Sequence, residues 1–110
     1  MMEAMQAIQV VRALAAIAHE SRLSVFRLLV SIGPDGLPAG TLAEMLGIAP
    51  SALSFHLKDL TQAGLLTQRP DGRRLIYSAN FEAMQALIAY LTANCCQGEA
   101  CELTDAGACC

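Results

Sequence analysis

The chain has 110 residues, a formal net charge of −3 and 55% hydrophobic residues. That length suits one domain around a single core, and no apolar run approaches the roughly 18 residues of a membrane span. The acidic balance excludes a uniformly basic nucleic-acid coat, and no basic stretch leads into an apolar run at the N-terminus, so a cytoplasmic location is expected.

Met5, Ile8, Val11, Leu14, Ala15 and Ile17 recur at helical spacing, which predicts a first helix over residues 3–18. A second is predicted from Ser21, which can cap it, through Leu23, Phe26, Leu28, Leu29 and Ile32. Gly33-Pro34-Asp35-Gly36 stops it with four turn residues. Pro38 can open a short third helix over residues 39–46, closed by Gly47. Pro50 can open a fourth, with Leu53, Leu57 and Leu60 inward and Gly64 at its end. The period then changes. Residues 65–69 and 73–79 read as two strands around a Pro70-Asp71-Gly72 turn, where proline presets φ and glycine accepts a positive φ. Asn80 can cap a last helix whose apolar stripe is Phe81, Met84, Leu87, Ile88 and Leu91, ending near Asn94. The predicted fold is mainly α with a β-hairpin wing between the fourth and fifth helices. It forms a domain over residues 1–94, followed by a tail over residues 95–110.

Charge is unevenly spread. Residues 1–48 carry −1 and residues 81–110 carry −4, whereas residues 49–80 hold Lys58, Arg69, Arg73 and Arg74 against Asp59 and Asp71, giving +2. This basic segment is the fourth helix and the hairpin. The third helix, the Gly47-Ile48-Ala49 turn and the fourth helix form a helix-turn-helix, and the hairpin makes it winged. Such a unit lays its second helix in the major groove and its wing on the backbone. Ser51, Ser54, His56 and Lys58 are the candidate groove contacts, because short hydroxyls and imidazole reach base edges or phosphate and lysine neutralises phosphate. Arg69, Arg73 and Arg74 are the candidate wing contacts to phosphate. For His56 and His19 a purely structural role competes.

Three blocks are more specific than a bare helix-turn-helix. They are Ala18-His19-Glu20-Ser21-Arg22-Leu23, then Leu42-Ala43-Glu44-Met45-Leu46-Gly47, then Leu53-Ser54-Phe55-His56-Leu57-Lys58-Asp59-Leu60 with Ala63-Gly64-Leu65. At this spacing they resemble the ArsR/SmtB family of winged-helix repressors that sense arsenic and metals, over about residues 5–93. The resemblance implies a cytosolic homodimer paired through its first and last helices. It also implies a palindromic double-stranded operator, release of DNA on ligand binding, and no enzymatic activity. One departure stands out. Many arsenic-sensing members carry Cys-Val-Cys in the third helix, where this chain reads Thr41-Leu42-Ala43-Glu44-Met45-Leu46. The family also places sensing cysteines at the end of its last helix, and Cys95-Cys96 stand there.

All five cysteines, Cys95, Cys96, Cys101, Cys109 and Cys110, fall in the last 16 residues. Their neighbours Gly98, Glu99, Glu102, Thr104, Asp105 and Gly107 are too polar for a core, so the thiols are expected to act as soft-ion ligands. The spacing fits a zinc ribbon poorly, since structural zinc sites pair cysteines two to four residues apart across a loop. As(III) fits better. Three thiols replacing three hydroxides of As(OH)₃ release three waters and leave a neutral product, so the acidic tail needs no added positive charge. Cys95, Cys96 and Cys101 form the expected As(III) set, with Cys109 and Cys110 as substitutes or a second set. Sb(III) shares this chemistry, and no organic cofactor is called for. A thiol redox signal, or Cd, Pb or Zn as inducer on the same fold, remains an alternative. A thiol enzyme such as an arsenate reductase ranks far below, because no glycine-rich loop or arginine accompanies the cysteines to cradle an oxyanion.

Overall fold

A computed structural model describes residues 5–95 of the chain. Its elements run α1 (Ala7–Ile17), α2 (Glu20–Ile32), β1 (Leu37–Pro38), α3 (Ala39–Leu46), α4 (Pro50–Gln62), β2 (Leu66–Asp71), β3 (Arg74–Ala79) and α5 (Phe81–Thr92). This is the winged helix-turn-helix expected from the sequence. Among the described residues, no helix is long and apolar enough to cross a membrane.

The core forms where each helix turns its apolar stripe inward. Val25, Phe26 and Leu29 of α2, Leu42 of α3, and Leu53, Leu57 and Leu60 of α4 are buried against Val10, Ala13 and Ala16 of α1. The alanines let α1 lie close to its neighbours. Each buried leucine contributes roughly 2 kcal/mol of transfer free energy, so its three leucines hold α4 firmly while its opposite side stays in solvent. Among the described residues no polar or charged side chain is fully buried.

Local chemistry sets the boundaries, in places not where the sequence suggests. Helix α2 begins one residue before the expected cap Ser21. The cap is His19, whose Nδ1 accepts the Ser21 N–H at 3.2 Å. Helix α3 spans residues 39–46 as expected, with Pro38 at its N-cap; Pro38 also belongs to β1, a strand too short to show a period in the sequence. Gly47, at φ 66°, closes α3 as expected, and Pro50 occupies the first turn of α4.

The sheet has three antiparallel strands in the order β1-β3-β2. The wing turns at Gly72-Arg73, one pair beyond the expected Pro-Asp-Gly turn, with Asp71 opposite Arg74. Gly72 supplies the positive φ, 66°, at the first turn position. Pro70 therefore lies within β2, opposite Leu75. Antiparallel pairs alternate between bonded and non-bonded, so the pair next to the turn-closing Asp71–Arg74 pair needs no proline N–H. The strand is also at the sheet edge, where proline is tolerated.

Asn80 joins the wing to the last helix. Its N–H donates to the Leu65 carbonyl at 2.8 Å, its Nδ2 donates to the Gly64 carbonyl at 3.0 Å, and its Oδ1 caps α5 by accepting the Ala83 N–H at 3.1 Å. The exit of α4 and the entry of α5 are thus fixed to each other. On α5, Leu87 is buried in the core of the chain, only 7% exposed. Ile88 and Leu91 of the same apolar stripe are instead exposed.

Candidate nucleic-acid interface

Helix α4 has one side committed to the core and one side open. With Leu53, Leu57 and Leu60 inward, the 100° step per residue puts Ser51, Phe55, Lys58 and Gln62 outward, and all four are exposed. Ser51 and Lys58, both expected from the sequence, therefore lie on the face a groove would meet. Ser54 flanks it, and its hydroxyl donates to the Pro50 carbonyl at 3.0 Å, one turn back on the same helix.

His56 lies on the flank toward α2 and is half-buried. Its Nδ1 accepts a long bond from Arg22 Nε at 3.4 Å, and its ring centroid is 4.9 Å from that of His19. Arg22 is the centre of this cluster: its Nη1 donates to the Ala16 carbonyl at 3.3 Å and its Nη2 pairs with Asp59 at 3.2 Å. The end of α1, the start of α2 and the middle of α4 meet on one guanidinium. The structural role that competed for both histidines in the sequence accounts for these contacts.

Burial first, then the His19 ring and the Arg22 cation, push the His56 pKa below its ordinary 6.5, with Asp59 opposing. A neutral ring is also what the Arg22 bond requires at Nδ1. Below the ordinary value the unfolded chain then binds the proton more readily than the folded one, so stability is full above pH 6.5 and falls as the pH drops from there toward the lowered native value. Thermal melts between about pH 5 and 8 should show this decline, and His56→Gln should flatten it. An unchanged pH profile in that variant would remove His56 as its source.

The wing arginines divide by surroundings. Arg69 Nη2 donates to the Asp35 carbonyl at 3.0 Å, which ties β2 to the loop before β1. Arg74 makes an exposed pair with Asp71 at 3.6 Å, of the kind worth under about 1 kcal/mol and readily exchanged for a phosphate. Arg73 holds the turn itself and, like Lys58, has no ion pair among the described residues. Arg73→Ala should therefore reduce the slope of log affinity against log salt by about 1 per bound subunit, with a smaller change for Arg69→Ala. Equal slopes in wild type and Arg73→Ala would mean that the tip does not touch phosphate.

Phe55 was not among the candidate contacts. The signal was its position two residues past Leu53 and two before Leu57, off the leucine stripe, which left a large apolar side chain with no place in the core.

A second exposed surface joins α1 and α5, which pack against each other. Ile8 is 60%, Val11 63% and Leu91 58% exposed, with Leu14 and Ile88 beside them. Of the candidate soft-ion ligands, Cys95 is half-buried just past the end of α5. Cys96, Cys101, Cys109 and Cys110 lie outside the described residues. Among the described residues no group of three or more His, Cys, Asp or Glu side chains is placed to hold a metal ion.

Comparison with known proteins gives concordant matches. Residues 17–69 match a family described as a helix-turn-helix domain. The HTH-type transcriptional regulator YgaV of Escherichia coli is 37% identical over 78 residues, covering 71% of this chain and 77% of that protein. A putative arsenical resistance operon repressor ArsR of Halobacterium salinarum is 34% identical over 76 residues, covering 69% of this chain and 58% of that protein. An ArsR-like transcriptional regulator from Rhodococcus sp. RHA1 has a solved structure that superposes with a TM-score of 0.69 at 25% identity, covering 76% of each chain.

Proposed function

Because this chain belongs to the ArsR/SmtB family of winged helix-turn-helix transcriptional regulators, and is a DNA-binding protein rather than an enzyme, we propose that it is a homodimeric cytoplasmic repressor released from its operator by arsenite. The observation that carries the inducer is the segregation of all five cysteines behind α5, in a chain whose first 94 residues have none. The similarity to a protein named as an arsenical resistance operon repressor supports the same reading.

The dimer would form on the exposed α1–α5 surface. A winged-helix dimer reads two half-sites about one helical turn apart, so the spacing between its α4 helices governs affinity. Cys95 follows α5 directly, and α5 is fixed to the exit of α4 through Asn80. Drawing Cys95, Cys96 and a third thiol, Cys101, onto one As(III) would strain the end of an interface helix. Three thiols form three As–S bonds and pass their protons to the three hydroxides of As(OH)₃, which leave as three waters, so no charge accumulates beside Glu99, Glu102 and Asp105. Sb(III) would act in the same way. A coupling of 1–3 kcal/mol corresponds to a change in operator affinity of roughly 5- to 150-fold.

The experiment is release of a duplex, selected from a random pool by the full chain, on separate addition of arsenite, antimonite, Cd(II), Pb(II), Zn(II) and peroxide. Arsenite should release the DNA from wild type, and Cys95→Ser, Cys96→Ser and Cys101→Ser should each abolish the response while the Cys109→Ser/Cys110→Ser double variant keeps it. Full response in both Cys95→Ser and Cys96→Ser would overturn the cysteine assignment. Release by peroxide or a divalent metal but not by arsenite would overturn the inducer.

A further inference from the structure

We propose that Phe55 is a base-reading residue whose ring packs on the 5-methyl group of a thymine in each operator half-site. The proposal rests on α4 being the groove-reading helix, and adds which base one of its side chains selects.

Phe55 is 70% exposed, more than any other large apolar side chain among the described residues. Isolated exposed apolar residues are ordinary on a protein surface, so exposure alone decides nothing. Its position does. Leu53, Leu57 and Leu60 define the buried side of α4, and Phe55 projects almost opposite to it, with Ser51 one turn before, Lys58 one turn after and Gln62 two turns after. The ring therefore occupies the middle of a face that is otherwise polar or cationic.

The composition of that face selects the occupant. An apolar groove on a protein partner would need further anchors at helical spacing, and Ala52 is the only other apolar residue on the open side. Lys58 on the same face, and Arg73 at the wing tip, which has no ion pair among the described residues, instead match a polyanion. Within the major groove a phenyl ring can neither donate nor accept a hydrogen bond. Guanine presents N7 and O6, adenine N7 and an amino group, and cytosine an amino group, each of which loses water without gaining a partner beneath a phenyl ring. Thymine alone offers a methyl group, and apolar contact with it is how such side chains read that base. Ser51 and Gln62 keep their hydrogen-bonding capacity for neighbouring base edges.

The test uses the full chain and a duplex selected from a random pool. Each thymine is replaced in turn by deoxyuridine, which removes only the methyl group. In wild type, one thymine per half-site should prove sensitive, losing roughly 4-fold in affinity, the worth of one buried methyl group. Phe55→Ser should bind the thymine and uracil duplexes equally, and selection with it should return no preference at that position. Its melting temperature should match wild type, since the ring supports no core contact. A wild type indifferent to every thymine methyl would overturn the proposal, as would a Phe55→Ser variant that still discriminates thymine from uracil. So would uniform weakening on all duplexes without methyl dependence. Failure of wild type to enrich any duplex would instead refute the operator-binding reading on which this one stands.

Discussion

Glutamate at both Ile88 and Leu91 is expected to leave a folded monomer that no longer holds its operator. Both residues are exposed in the single chain, on a helix that packs against α1, where Ile8 and Val11 are exposed too, so charging them disturbs no buried contact. In the proposed dimer the same four side chains face a second copy, and two pairs of like charges would meet in a dry interface. Without the partner, each recognition unit must bind its half-site alone. Losing that linkage removes an avidity gain on the order of 10²–10⁴, so operator affinity should fall at least about 100-fold. Sedimentation equilibrium, DNA titration and a thermal melt check the three parts of this expectation. A variant that remains dimeric would refute the α1–α5 interface. Leu87→Glu, one residue earlier, should behave differently: its side chain lies in the protomer's own core, and a buried unpaired carboxylate should unfold the chain rather than separate two folded copies.

The second large effect is expected at Gly36. It has a φ of 69°, in the left-handed region, and a Cβ built there would overlap the Tyr77 carbonyl oxygen. That oxygen belongs to β3, and Tyr77 is the register partner of Leu37 in β1, so it cannot retreat without opening the sheet. Left-handed strain of about 1 kcal/mol then adds to the clash, and Gly36→Ala should cost roughly 2–4 kcal/mol. At about 4–8 °C per kcal/mol for a domain near this size, the melting temperature should drop by at least about 8 °C. Gly33→Ala is the control. Its φ of 95° carries strain, yet nothing lies within 4 Å of the added carbon, so its loss should be markedly smaller. Equal losses in the two variants would show that strain alone is at work and that the approach to Tyr77 is harmless.

Much of the fold was legible because its helices repeat leucine, valine and isoleucine at intervals of three and four, and because Gly33, Gly47 and Gly64 terminate them. What escaped did so for physical reasons. Strand β1 is two residues long and has no period to detect. The wing turn slid past Pro70 because an outer strand can accept a residue without an N–H, a property of sheet order rather than of local sequence. Leu87 and Ile88 are adjacent on an apolar stripe, and only packing separates the one that fills its own core from the one that faces outward. The groove face was half legible. Serine and lysine declare their chemistry, whereas a phenylalanine in a helix reads as core until its direction is known. His56 was drawn inward by Arg22, which stands 34 positions away in sequence. The cysteine tail stood out through composition alone, and of its thiols Cys95 falls within the described residues.

Pro70 in the outer strand of the wing has one more consequence. A β-hairpin held out from the body presents a row of open backbone groups, and on a flat, apolar edge these would invite a second wing to add itself as the next strand. Proline deletes one donor from that row, and the neighbouring Arg69 and Asp71 bring charge to the same edge. The outer edge of the wing is thereby blunted as a template for self-association, so a concentrated stock of this protein should resist wing-to-wing aggregation even when no duplex is there to shield it.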